Sequence, residues 1–256
     1  MIRLIIALFL CISVSQADER EAWQRPGYIA DSFIEIALNS EYGVHTPRLR
    51  RWEAPVRVYL SHEVGNRALH EELVDAHLSQ LAQITGLSIR RVDRAENANL
   101  MMFLLPESAL LGRWREQSGQ DSLPPNALCL GRLQTDRRGV IRRGWVFIPV
   151  DRARHHGQLI SCIVEELTQV LGLPNDSDRV FPSIFNDRSV AQLLTGLDLV
   201  LLKLLYHEKL EAGMSPDQVR PLLNGLIEEL SRAGIIARAQ EQVSQGALYR
   251  LLGFGQ

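Results

Sequence analysis

The sequence predicts an α+β protein, in which a mostly β, helix-backed sheet is followed by a helical half. Two observations lead to this class. Between residues 56 and 150, several short apolar segments have the two-residue period or the length of strands, and one segment has helical period. From residue 157 onward the apolar residues keep helical spacing. Strands followed by a series of helices are typical of α+β domains.

In the first half, alternation and turn formers define the elements in order. A short helix is predicted over 32–43, and a longer helix that ends at Gly86 has apolar positions between 69 and 84. Residues 106–127 contain turn formers and no clear period, so they are predicted to form a long loop. The predicted strands are 56–60, 87–92, 99–105, 127–133 and 144–150.

In the second half, a helix is predicted over 157–171, with Glu165 and Gln169 one turn apart on a face that its apolar stripe does not use. Gly172 is expected to end it in a left-handed conformation. A strongly apolar helix follows within 194–210. Ser215 then opens a capping box, with proline in the first turn of an amphipathic helix.

The composition allows one substantial core and argues against nucleic-acid binding. Of 256 residues, 46% are hydrophobic and 23% are charged. The net charge of -2 provides no basic field for a phosphate backbone. The arginine clusters at 48–52 and 136–144 do not alternate with aromatic residues. We therefore predict no nucleic-acid partner and interpret both clusters as solvated turns and strand edges.

The first 17 residues are typical of a signal peptide. An apolar run over 4–14 is followed by small residues at Ser15 and Ala17, which fit a signal-peptidase site. The run is too short for a stable transmembrane anchor, and no later segment is apolar for long enough to cross a bilayer. We predict a periplasmic or secreted protein that begins at Asp18. A leader retained as an anchor is the alternative.

Removal of the leader, which contains Cys11, leaves two of the three cysteines. Because an even number of cysteines in an oxidising compartment favours pairing, we predict a disulfide between Cys129 and Cys162. Closing a loop of that length stabilises the fold by roughly 3 to 4 kcal/mol in the chain-entropy model. Two buried free thiols are the alternative.

The segment EELTQVLGLPND, residues 165–176, has the spacing of a zinc-protease helix and turn. Metzincin proteases use His-Glu-x-x-His, in which two ligands share one helix face and the glutamate reaches the metal-bound water. A glycine then lets the chain reverse towards a third ligand. The corresponding residues here are Glu165 (first ligand), Glu166 (general base), Gln169 (second ligand), Gly172 (turn) and Asn175 (third ligand), which is followed by Asp176.

Further motifs extend this resemblance to a family. PSIFND, residues 182–187, resembles the methionine-containing turn below the metal, with Phe185 in place of methionine. Together with FIEIALNSEYG, RRWEAPVRVYL and DLVLLKLLYHEKLEAGMS, these segments resemble the bacterial envelope family called domain of unknown function 2927. The resemblance covers about residues 33–214. It implies a zincin-like fold with a twisted, mostly antiparallel or mixed sheet, an envelope or secreted location, and no established activity.

The substituted ligand positions argue against zinc. Zinc prefers imidazole and thiolate, and one carboxylate with two neutral amides is a poor set. Calcium and magnesium accept oxygen ligands but require six or more of them. Without a metal to lower the pKa of water from about 15.7 towards 7, Glu166 has little to activate. We therefore predict no metal and no cofactor.

We predict a non-catalytic protein whose former substrate cleft binds a peptide, a protein or a cell-envelope component, or serves as a scaffold. The alternative is a divergent metal-dependent peptidase or hydrolase with Glu166 as general base. A simpler interpretation treats the carboxylates and amides of 165–176 as a polar helix face and a capped turn. Residues 18–213 are predicted to form the zincin-like domain, and 214–256 a helical extension packed on it.

Overall fold

The computed structural model describes residues 21–39, 46–186 and 188–254, so the predicted signal peptide at 1–17 lies outside the described residues. The strands are Val56–His62 (β1), Ile89–Arg91 (β2), Leu100–Leu105 (β3), Leu130–Thr135 (β4) and Ile141–Pro149 (β5). The helices are Pro26–Leu38 (α1), Arg67–Thr85 (α2), Glu107–Ser118 (α3), Val150–His155 (α4), Leu159–Gln169 (α5), Gly196–Leu205 (α6), Pro216–Arg232 (α7), Ile235–Ser244 (α8) and Ala247–Leu251 (α9).

The five strands form one mixed sheet in the order β2-β1-β3-β5-β4. Three neighbouring pairs are parallel, and only the edge strand β4 runs antiparallel to its neighbour β5. The α+β class is confirmed. Of the two sheet types that were expected, the mixed sheet is confirmed and the mostly antiparallel sheet is wrong, because most pairs are parallel. The parallel pairing arises because α2 carries the chain back between β1 and β2, and α3 lies within the long connection from β3 to β5. A tight turn joins β4 to β5.

The region predicted as a long loop, 106–127, contains helix α3. This helix buries only Leu110 and Trp114, which lie four residues apart, and most of its remaining surface is polar, with Leu111 exposed. So narrow an apolar stripe gives little periodic signal, which explains why the sequence did not indicate a helix. Leu110 and Trp114 pack with Phe103 and Phe147 on one face of the sheet, in a small cluster separate from the main core.

Helix α6 lies at the centre of the helical half. It is apolar almost all round, and nine of its ten residues are buried, with Lys203 as the exception. Helices α1, α2, α7 and α8 surround it. The predicted capping box at the start of α7 is present, with the Ser215 backbone N–H donating to Gln218 Oε1 at 2.9 Å. No described helix has the length and apolarity that crossing a bilayer requires. The division of the chain at residue 213 stays a prediction.

Candidate functional site

Helix α5 lies beneath the sheet next to β4 and β5 and is tied covalently to the edge of the sheet. The predicted disulfide between Cys129 and Cys162 is confirmed, with 5.8 Å between the two Cα atoms. It joins the residue directly before β4 to the first half of α5. The edge strand and the helix that carries the candidate site therefore form one braced unit.

Strand β4 lies close to α5 at Gly131. A Cβ atom at this position would lie 2.7 Å from Glu166 Oε2 and 3.3 Å from Val170 Cγ1. The absence of a side chain is therefore what lets the strand lie over the helix, with the Glu166 side chain, 7% exposed, beneath it. The sequence analysis did not select Gly131, although a glycine inside a strand is a known sign of a close backbone approach.

The turn after α5 is held from two sides. Trp52 Nε1 donates to the Val170 carbonyl at 2.9 Å, and the Tyr206 hydroxyl donates to the Leu171 carbonyl at 2.6 Å. Gly172 has φ of +119°, as its predicted left-handed conformation requires, and a Cβ there would overlap the carbonyl oxygen of Arg50. Burial raises the pKa of Tyr206 above its usual value, so this hydroxyl stays a donor.

The residues that the sequence analysis compared with zinc ligands divide into two groups. Gln169 Nε2 donates to Asp176 Oδ1 at 2.7 Å, so these two side chains meet at the end of the helix. The Asn175 amide instead donates to the Glu35 carbonyl of α1 at 3.0 Å. Gln169 and Asn175 are both buried, and Glu165 is partly exposed on the same helix. The spacing placed Asn175 at the third-ligand position, directly before Asp176. In the structure it is the side chain of Asp176 that meets Gln169.

These side chains do not fit the zinc site that the metzincin resemblance implies. Both amides are engaged through their nitrogen atoms in hydrogen bonds, and neither imidazole nor thiolate is present at the ligand positions. Within the described ranges, no group of three or more His, Cys, Asp or Glu side chains is arranged to hold a metal ion. The donor set is that of a hydrogen-bonded helix end.

The loop that carries Phe185 is pinned to the start of α6. Phe185 is fully buried, and its carbonyl accepts a hydrogen bond from the Ser177 N–H at 2.8 Å. Asp198 accepts from Ser183 Oγ at 2.6 Å and from the Thr195 N–H at 2.7 Å. The pKa of Asp198 is raised to about 6, because burial raises it by more than these hydrogen bonds lower it. The loop is thus fixed below the turn that follows α5.

On its inner side, α5 rests on α2 through a buried histidine. His77 Nε2 lies 3.1 Å from the Val164 carbonyl oxygen and 3.1 Å from Thr168 Oγ1. Burial lowers the pKa of His77 to about 4, so the ring is neutral near pH 7. Within the described part of the chain, His77 Nδ1 has no hydrogen-bond partner. The residue is a structural contact and does not reach the end of α5 where Gln169 lies.

A cleft of about 760 Å³ runs along the outer edge of β4. Gln169 and Val170 lie on its α5 side, and Trp114 lies on its α3 side. The opposite wall is the segment 46–50. This segment continues to Arg51, whose carbonyl oxygen accepts a hydrogen bond from the Ile141 N–H at 2.9 Å. Among the described residues, β4 pairs only with β5. Its second backbone edge is therefore directed towards the cleft.

The cleft is lined with positive charge, although the chain as a whole has a net charge of -2. Its arginines are Arg48, Arg50, Arg132 and Arg137. None of the four forms an ion pair with a residue in the described ranges. Among the described residues, Asp136 is the one carboxylate in the lining, and it is paired with Arg142 at 2.6 Å. Burial lowers the pKa of Arg50 from its usual value.

One family model matches the chain. It is described as protein of unknown function (DUF2927), and it covers residues 26–225. This range contains all five strands, α1 to α6 and most of α7, and so it includes every element of the cleft. No curated protein matches the chain significantly.

Proposed function

The chain belongs to the DUF2927 family, and we propose that its cleft binds an extended peptide segment, outside the cytoplasm and without cleaving it. The observation that carries this proposal is the outer edge of β4, which no other described strand covers and which borders a cleft lined by Gln169. We propose further that the fold is zincin-like and that the helix and turn of 165–176 are a degenerate metzincin site.

An open sheet edge is suited to an extended peptide. A peptide strand that is added to such an edge gains affinity from backbone hydrogen bonds, and alternate side chains enter pockets on the two faces. The cleft volume of about 760 Å³ is within the usual range for ligand sites, roughly 300 to 1,000 Å³. It has walls on both faces of the sheet, at Trp114 and at Val170. These features favour a bound strand over a compact small molecule.

The polar groups at the end of α5 favour binding over hydrolysis. Gln169 and Asp176 are bonded to each other, and Asn175 is bonded to α1. Glu166 lies under Gly131, beside the edge where the peptide backbone would run. In the metzincin mechanism the glutamate acts on a water molecule whose pKa a zinc ion has lowered, and the ligand positions here lack the imidazoles that would hold that ion.

The disulfide supports a location outside the cytoplasm. Disulfides persist in the periplasm and in secreted proteins and are rare in reducing compartments. The bond between Cys129 and Cys162 braces the edge strand that the proposal uses. It agrees with the predicted signal peptide, which is an independent feature of the sequence.

Metal analysis and peptide binding test this proposal together. The chain from Asp18 onward is purified and its metal content is measured. Binding of short alternating peptides, such as Val-Ser repeats carrying a fluorescent label, is then followed by anisotropy, and mass spectrometry shows whether the peptide stays intact. We expect saturable binding that EDTA does not change and an intact peptide. Stoichiometric, tightly held zinc or the absence of any peptide binding would contradict the proposal.

Two matched variants localise the binding. Thr135 is exposed and lines the cleft, whereas the adjacent exposed Gln134 does not. Thr135→Trp is therefore expected to weaken peptide binding and Gln134→Trp to preserve it, both with an unchanged melting temperature. If peptides are cleaved instead, and Glu166→Gln abolishes cleavage without loss of stability, the protein is a divergent hydrolase with Glu166 as general base.

A further inference from the structure

We infer that the cleft selects an extended segment in which acidic side chains alternate with small or apolar ones. This inference rests on the proposed function and adds the class of ligand. It follows from the difference between the two faces of β4 and from the charges on the cleft walls.

The two faces of the edge strand differ in chemistry. Leu130 and Arg132 pair with Phe147 and Trp145 and project towards the α3 side of the sheet. The Arg132 guanidinium lies 5.9 Å from the centre of the Trp114 ring on that side. The residues between them in the strand project to the opposite side, towards α5. One face of the edge therefore presents a cation on an aromatic ring, and the other presents glycine and leucine.

An added strand would meet these faces in alternation. Residues directly opposite each other on neighbouring strands lie on the same face, and opposite charges there attract. A carboxylate placed beside Arg132 on the α3 face forms such a pair, and because the guanidinium lies over an aromatic ring, the pair is partly shielded from water. Arg137 lies beyond the end of β4 and extends the positive wall in the direction of the strand.

The α5 face of the cleft favours small and apolar side chains. Leu133 and Val170 offer apolar contact there, and the missing side chain at Gly131 leaves room for a small residue only. The preferred ligand therefore has acidic side chains that alternate with small or apolar ones. A uniformly acidic peptide would match only the α3 face of the cleft.

The remaining charges of the cleft agree with this selection. Arg48 and Arg50 stand on the wall opposite β4 and form no ion pair with the described residues, and the Asp136 carboxylate is already paired with Arg142. Electrostatic attraction from these walls would raise the rate at which an acidic segment enters the cleft, and added salt would weaken it.

The test compares labelled peptides of one length and different patterns. Repeats of Val-Glu, Val-Ser and Val-Lys and an all-glutamate peptide are titrated against the chain from Asp18 onward by anisotropy at low and high salt. We expect Val-Glu repeats to bind about tenfold more tightly than Val-Ser repeats at low salt. Val-Lys repeats should bind most weakly, and the all-glutamate peptide should bind more weakly than Val-Glu repeats.

Two arginine variants locate the preference. Arg132→Gln is expected to remove most of the difference in affinity between Val-Glu and Val-Ser repeats. Arg90→Gln is the matched control, because Arg90 is exposed on β2, at the opposite edge of the sheet, and lies outside the cleft. Arg137→Gln, at an exposed position, gives a second measurement if Arg132→Gln lowers the melting temperature.

Each result bears on a different part of the argument. If Val-Ser or Val-Lys repeats bind as tightly as Val-Glu repeats, the acidic preference is overturned, while peptide binding itself stands. If the all-glutamate peptide or inorganic polyphosphate binds as tightly as Val-Glu repeats, charge alone is recognised and the alternating pattern is wrong. If none of the peptides binds, the proposed function fails together with this inference.

Discussion

Substitution of Gly172 by alanine tests the account of the turn after α5. Gly172 has φ of +119°, a conformation that costs other residues about 1 to 3 kcal/mol. A Cβ there would also overlap the backbone carbonyl of Arg50 and lie 3.0 Å from its carbonyl carbon. Overpacking against a backbone that cannot rotate away costs a further 1 to 3 kcal/mol or so. We therefore expect Gly172→Ala to lower the free energy of unfolding by about 4 kcal/mol.

The measurement is urea unfolding of the purified chain, followed by circular dichroism, with equal denaturant slopes in wild type and variant. Gly225→Ala is the matched control. Gly225 is exposed within α7, and no heavy atom lies within 4 Å of a Cβ built there. Alanine in a helix interior is favoured over glycine, so this variant should gain about 0.5 to 1 kcal/mol. A loss below about 1 kcal/mol for Gly172→Ala would refute the argument for a strained, crowded turn.

Three more predictions concern the supports of the site. The double variant Cys129→Ser with Cys162→Ser should lose roughly 3 to 4 kcal/mol in urea unfolding, and reductant should affect only the wild type. His77 is neutral in the fold, with a pKa of about 4 against an ordinary 6.5, so the unfolded chain takes up the extra proton as pH falls between these values. At 1.36 kcal/mol per pH unit, this gap makes the wild type lose roughly 3 kcal/mol more than His77→Gln between pH 6.5 and 4, and equal losses would contradict the assignment. Tyr206→Phe removes the donor to the Leu171 carbonyl and should lower the melting temperature, with a cost of about 1 to 2 kcal/mol in unfolding.

The sequence indicated the elements whose signals are local. Glycine at 172 was predicted to adopt a left-handed conformation, and Ser215 was predicted to open a capping box; both predictions are confirmed. The disulfide was predicted from the number of cysteines and the inferred compartment, and it too is confirmed. In each case a few neighbouring residues, or a pair of a single reactive type, carry the information.

Features that depend on distant partners were not predicted. Apolar alternation shows that a segment is a strand but not the direction of its neighbour, so the parallel pairs of β1, β3 and β5 were missed. Helix α3 was missed because packing on Phe147 requires only two of its side chains, Leu110 and Trp114. The expectation of a mostly antiparallel or mixed sheet came from the zincin resemblance and not from the pattern of the strands.

The candidate site shows the same division. The spacing of 165–176 placed Gln169 at the end of the helix, where it lines the cleft, because the helix and its end are local features. The spacing could not decide between Asn175 and the adjacent Asp176 as the residue that meets Gln169, since the helical period does not continue through a turn, and the structure shows that it is Asp176. The arginine clusters were interpreted as solvated turns, and only the tertiary fold shows that Arg48 and Arg137 line one cleft.

The bonds around the end of α5 explain how this geometry persists without imidazole ligands. A metal ion at such a site would join the helix end to the chain that follows it. Here the Gln169–Asp176 hydrogen bond makes that connection, and Trp52 and Tyr206 fix the turn through its carbonyl groups. All three bonds are made by protein groups, and we predict that the folded state gains no stability from a dissociable ion. EDTA is therefore expected to leave the melting temperature unchanged to within about 1 °C, and a larger fall would show that a bound ion holds the turn.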